Sequence, residues 1–154
     1  MGTGFVAHST FSIERSYPAT PARVFRAFSD QATKRRWFAE GEGWHVDEFT
    51  LDFRVGGSNI SRFRYRDGPP IGNDTVFLDI VPEQRIVFAY TMTVAGIRIS
   101  VSLATITLES HANGTRLVYT EQGAFFDREE SIRRRELGSQ ALLESLAHEL
   151  ERHS

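Results

Sequence analysis

The stretch Asp127–Arg152, DREESIRRRELGSQALLESLAHELER, decides the fold. It holds no proline and one glycine, Gly138, and Ile132, Leu143, Leu146 and Leu150 recur along a helical stripe. About 26 residues at a rise of about 1.5 Å make a rod of roughly 39 Å, long enough to cross a small sheet. Before it, from Trp44 to Gln122, the apolar residues alternate with period two and no other helix interrupts them. The expected architecture is α+β: a curved antiparallel sheet closed by one long C-terminal helix, with space enclosed between them.

Working outward, Thr10–Tyr17 alternates as a half-buried strand that ends at Pro18. Thr20-Pro21 reads as the N-cap and first residue of a short helix carrying Val24, Phe25 and Phe28 on one face. Asp30 caps a second short helix, which is expected to carry Lys34, Arg35 and Arg36 outward and to present Trp37 and Phe38 at its end. Six further strands follow: Trp44–Phe49, Asn59–Arg66, Asp74–Val81, Arg85–Val94, Arg98–Glu109 and Thr115–Gln122. Between them lie turn signals such as Gly56-Gly57, Ala95-Gly96 and Asn113-Gly114, the last being the strongest hairpin signal in the chain. From Ile97 to Leu108 the apolar positions slip from odd to even numbers, which predicts a bulge near Leu103 and Ala104.

Composition narrows the function. The chain has 154 residues, 40% hydrophobic and 12% aromatic, as one domain with a substantial core would. A net charge of −2 supplies no field for nucleic acid. The absence of cysteine removes disulfides, thiol catalysis and thiolate metal sites. Met1–Thr10 has no signal-peptide pattern and no apolar run reaches membrane-spanning length, so the expected setting is cytoplasmic, without membrane insertion.

Several stretches together resemble the START-like helix-grip (SRPBCC) superfamily, and within it bacterial proteins similar to the C-terminal domain of heat-shock-protein ATPase activators. They are Tyr17–Phe28, Arg36-Trp37-Phe38, Asp52–Gly57, Asp79–Phe88, Gly114–Leu117, Thr120–Phe125 and Arg134–Gly138 with Leu142, Leu143 and Leu146. The resemblance spans nearly the whole chain. It implies a six- to seven-stranded curved sheet, two short helices after strand one, one domain over 1–154, and a cavity between the sheet and the last helix. Many relatives place tryptophan after the glycine of that helix. Here Ser139 follows Gly138, which implies a larger or wetter pocket.

The helix stripe read in steps of four and three is Ile132, Glu136, Ser139, Leu143, Leu146 and Leu150, polar in its first half and apolar in its second. A cavity opening near Glu136 and Ser139, with Leu142, Leu143 and Leu146 at its floor, accounts for that gradient. A helix start running past the sheet edge into water accounts for it equally. Glu121, in register with Leu117 and Tyr119, is the candidate polar contact inside, and a buried carboxylate needs a partner such as an arginine. Phe63, Tyr65, Phe88, Tyr90, Met92, Tyr119, Phe125 and Trp37 complete the expected lining, although core packing explains rings as readily. The five histidines do not converge, no zinc spacing or nucleophile elbow occurs, and no catalytic, metal or cofactor-binding residue is assigned.

Three functions stay open. The leading one is a stress-related carrier or sensor for a small hydrophobic or lipid-like molecule. The second is a protein-interaction module acting on a chaperone ATPase. The third is a cyclase- or hydrolase-type enzyme using Glu121 with a tyrosine hydroxyl. Strand edges leave a homodimer open as well.

Overall fold

The computed structural model describes residues 4–152. Its elements are β1 (Ala7–Tyr17), α1 (Pro21–Ser29), α2 (Gln31–Phe38), β2 (Trp44–Leu51), β3 (Ser58–Tyr65), β4 (Ile71–Val81), β5 (Arg85–Val94), β6 (Ile97–His111), β7 (Gly114–Phe125) and α3 (Glu130–Arg152). The strands form one seven-stranded antiparallel sheet in the order β1-β7-β6-β5-β4-β3-β2. Strands two to seven are a meander of hairpins, and β1 adds to the far side of β7. The architecture is α+β helix-grip, with α3 against one face of the curved sheet.

Local chemistry sets the joints. Thr20 caps α1 through its hydroxyl, 3.2 Å from the Arg23 amide, and Pro21 spends no donor at the first helical position. The Asp30 carboxylate accepts from the Thr33 amide at 3.0 Å to cap α2. Ala95 and Gly96, both at positive φ, form the two-residue turn between β5 and β6. The expected turn at Asn113-Gly114 falls one residue earlier: His111 pairs with Gly114, so Ala112 and Asn113 make the turn and Gly114 opens β7. Glycine is needed at 114 for another reason, because a Cβ there would run into the carbonyl oxygen of Tyr17.

The bulges also differ from expectation. Register shifts occur at Val46/Glu48, Phe77/Asp79 and Met92/Thr93, while Leu103 and Ala104 sit in unbroken register with both neighbours. Val101 and Leu103 are exposed on the outer face, whereas Ala104, Ile106 and Leu108 are buried on the inner one. The slip therefore marks no bulge at Leu103 and Ala104; the irregularity of β6 lies earlier, at Ile99, which falls between the pairs Met92 with Ser100 and Thr93 with Arg98. The slip arises because the inner positions just before Ala104 are Ser100 and Ser102, both buried.

Side chains paired across antiparallel strands share a face, so the inner surface can be followed row by row. One row runs Ile86, Ile106, Tyr119 and Ile13, and the next Phe77, Phe88, Ala104, Glu121 and Phe11. These meet the C-terminal half of α3, through Leu143, Leu146 and Leu150, together with Val24 and Phe28 of α1, in the hydrophobic core. Beyond them the face turns polar. Asn59, Thr75, Tyr90, Ser102 and Gly123 form the third row, and Ser61, Asn73, Met92, Ser100 and Phe125 the fourth.

Candidate functional site

The polar rows lie under the first half of α3, and the helix reaches them with Arg135. Glu121 on β7 is 1% exposed. Its carboxylate accepts the Tyr90 hydroxyl at 2.8 and 2.9 Å, the Ser102 hydroxyl at 2.8 Å and the Tyr119 hydroxyl at 2.6 Å. Arg135 donates to the same carboxylate at 3.4 Å, to the Tyr90 oxygen at 3.2 Å and to the Ser100 oxygen at 2.7 Å. The guanidinium also lies against the rings of Phe125 and Tyr90, at 5.1 and 5.5 Å from their centres. A buried carboxylate is tolerated here because one cation and three hydroxyls compensate its lost hydration.

The electrostatics make this a donor site. Burial raises the pKa of both phenols, and the Glu121 charge raises them further, so Tyr90 and Tyr119 stay protonated and donate. Ser139, buried on α3, makes a hydrogen bond to the Tyr119 hydroxyl that acts the other way. With its two oxygens receiving four donors, Glu121 has little capacity left to accept a further hydrogen bond from a ligand. Arg135 has the spare capacity, because a guanidinium carries five N–H groups and three bonds are made among the described residues.

The remaining expected residues divide between this site and the scaffold. Phe88, Met92 and Phe125 stand in the same rows as the network, Phe88 with its ring centre 6.0 Å from that of Tyr90. Glu136 is half-buried beside Arg135, and it is Arg135 that makes the network contacts. Leu143 and Leu146 belong to the hydrophobic core, with Leu142 packed against it. Trp37 belongs to the same core, where its indole donates to the Ala27 carbonyl at 2.8 Å and meets Phe28 edge-on. Phe63 and Tyr65 gather around Trp44 on the edge strand β2. Lys34, expected outward, is buried at 7% exposure. Broad open depressions lie on the outer face, one lined by Ala89, Val101, Leu103, Gln122 and Ala124.

Sequence reasoning missed Ser100, Ser102, Asn59 and Ser61 as inner-face residues. The signal was available for the first two, since they occupy the parity that Ala104 and Ile106 continue. Among the described residues no helix is long and apolar enough to cross a membrane.

A long helix gripping a curved sheet, with a polar network buried between them, defines a helix-grip protein of the SRPBCC type. The chain belongs to the family described as Activator of Hsp90 ATPase homolog 1-like protein, which matches residues 18–151. Among solved structures it is similar to the Mll3558 protein of Rhizobium loti, with 54% identity over 94% of this chain and 99% of that one and a TM-score of 0.87. An uncharacterized protein of Rhizobium leguminosarum is 40% identical over 97% of this chain and 98% of its own, with a TM-score of 0.92. CV1439 of Chromobacterium violaceum is 29% identical over 90% and 94%, with a TM-score of 0.74. No curated protein matches the chain.

Proposed function

We propose that the protein binds a small amphipathic molecule between the first half of α3 and the inner face of β5–β7, as a cytoplasmic carrier or sensor and without transforming it. The observation that carries this reading is the Glu121–Arg135 pair with its tyrosine and serine donors. Well-packed apolar residues in place of a buried ion pair are often neutral or more stable by about 1–4 kcal/mol, so stability alone does not account for the network. A ligand does. Its polar or anionic head takes the spare donors of Arg135, and its apolar body lies along Phe88, Met92 and Phe125. Local opening of the α3 start admits it.

Native mass spectrometry after gentle purification, followed by a thermal-shift panel of fatty acids and aromatic carboxylates, tests the reading. A retained small molecule, or stabilisation that Arg135→Met removes, is expected. A chain that carries nothing and responds to nothing in the panel overturns it.

A second reading is a chaperone cofactor. It rests on the family description and on the exposed apolar side chains Val76, Leu78, Val101 and Leu103 on the outer face. Acceleration of the host Hsp90-type ATPase by the purified chain would support it, and Val101→Glu with Leu103→Glu should then remove the effect. An unchanged ATPase rate removes this option.

A further inference from the structure

Of the eighteen lysine and arginine side chains, one is lysine, and it is buried at 7% exposure. Lys34 sits on α2 between the ring and backbone contacts of that short helix, while Arg35 and Arg36 beside it reach Glu40 and Glu149. Its Nζ donates to Asn59 Oδ1 at 2.7 Å, and Asn59 is fixed in turn by its own bond to the Thr50 carbonyl at 2.8 Å. The amine lies 5.0 Å from the ring centre of Phe38 and 5.7 Å from that of Phe77. No carboxylate pairs with it among the described residues.

A second, independent observation lies one step along the same strand face. Ser61 is 1% exposed, and its hydroxyl has no hydrogen-bond partner. An unsatisfied buried hydroxyl is destabilising, and a ligand oxygen arriving at that spot would satisfy it. An amine without a counter-ion, and a hydroxyl without a partner two residues along β3 from the Asn59 that holds that amine, suit a group that is electrophilic at carbon and accepting at oxygen.

We propose that Lys34 is the reactive amine of a carbonyl site, which takes an aldehyde or ketone as a reversible imine. The nitrogen lone pair adds to the carbonyl carbon, and the carbonyl π pair moves to oxygen. Ser61 donates a hydrogen bond to that oxygen. A proton moves from nitrogen to oxygen to give the carbinolamine; its C–O bond then breaks, the hydroxyl leaves with the remaining N–H proton as one water, and the nitrogen electron pair forms the C=N bond. Atoms and charge balance without oxidant or reductant. Burial without a counter-ion also lowers the pKa of Lys34 from 10.5 to about 7, which supplies the unprotonated amine at neutral pH. This site stands apart from the ligand reading above, since it uses α2 and β3 rather than α3 and β7.

The test treats the full chain with benzaldehyde and sodium cyanoborohydride at neutral pH, then maps the reduced adduct by peptide mass spectrometry. Adduct at Lys34 is expected on the order of tenfold faster than on Nα-acetyllysine, because far more of the buried amine is unprotonated. Lys34→Met should lose that adduct while keeping the circular dichroism of the parent. Label confined to the α-amino group of a folded chain overturns the proposal, as does adduct at Lys34 no faster than on the free amino acid. Mapping on the unaltered chain decides between them whether or not the variant folds.

Discussion

The Glu121–Arg135 pair can be weighed by taking it apart in steps. Arg135→Met keeps an unbranched side chain over Phe125 but leaves a carboxylate that is 1% exposed without its cation. Breaking a buried pair from one side costs about 3–5 kcal/mol. Here Tyr90, Ser102 and Tyr119 still donate to Glu121, so about 3 kcal/mol is expected. For a chain of this length that lowers Tm by roughly 6–12 °C. Glu121→Gln keeps the volume and strands the guanidinium instead. Its side chain is 11% exposed and can turn toward water, so the loss is smaller, about 2 kcal/mol. With both changes neither charge is left buried alone, and the double variant should fall within about 1 kcal/mol of the parent. Urea unfolding followed by circular dichroism reads all four corners of the cycle. Additive losses, with the double variant the least stable, would refute the account of a mutually compensated buried pair.

Lys34 gives a pH prediction. Its pKa falls from 10.5 in the unfolded chain to about 7 in the folded one, so between those values the unfolded state binds more protons. Stability therefore rises from pH 7 toward 10, by up to about 1.4 kcal/mol per unit, and is lost again as pH falls; urea titration of Lys34→Met should show that part of the slope gone. Thr20→Ala removes the α1 cap and should cost about 1 kcal/mol in the same assay, with Thr20→Ser restoring it. Gly114→Ala forces a Cβ against the Tyr17 carbonyl and should cost more than about 2 kcal/mol, measured as a drop in the urea midpoint. Ser139→Trp should cost about 1–3 kcal/mol by overpacking against Tyr119 and abolish ligand stabilisation in thermal shift, while Ser139→Ala stays within about 1 kcal/mol of the parent.

The order of elements was legible because α3 and the strands carry strong periodicity over many residues. Where the reading faltered, the pattern was too polar to set a phase. Going back from Leu150, Leu146, Leu143 and Ser139, the next inward residue is three or four earlier, Glu136 or Arg135, and Ile132 pulled the reading toward Glu136. The observed inward series is Ser131, Arg135 and Ser139, in steps of four. Lys34 was read as outward because charge is usually solvated. Its spacing to Trp37 and Phe38, three and four residues on, nevertheless placed it on the apolar face of α2. Glu121 was legible from the alternation Leu117, Tyr119, Glu121, and an arginine partner was anticipated on chemical grounds. The serines that complete the network were not, since a bulge and a polar inner face leave the same mark on an alternating sequence.

The interior is thus two materials under one helix. From Ser139 to Leu150, α3 rests on rings and aliphatic chains that hold it through packing and through the Tyr17 hydroxyl, 2.9 Å from the Leu143 carbonyl. The Arg23 guanidinium adds a bond at 2.7 Å to the Leu150 carbonyl near the helix end. From Glu130 to Ser139 the helix is held chiefly by Arg135, whose partners are polar side chains able to exchange their bonds for those of a ligand or water. Opening that half sacrifices hydrogen bonds that can be re-formed, while opening the other half would expose apolar surface at about 25 cal/mol per Å². The first half of α3 should therefore be the part that lifts, with Ser139 as the hinge point. Amide hydrogen exchange should be faster before Ser139 than after it, a contrast that a uniformly packed helix would not show.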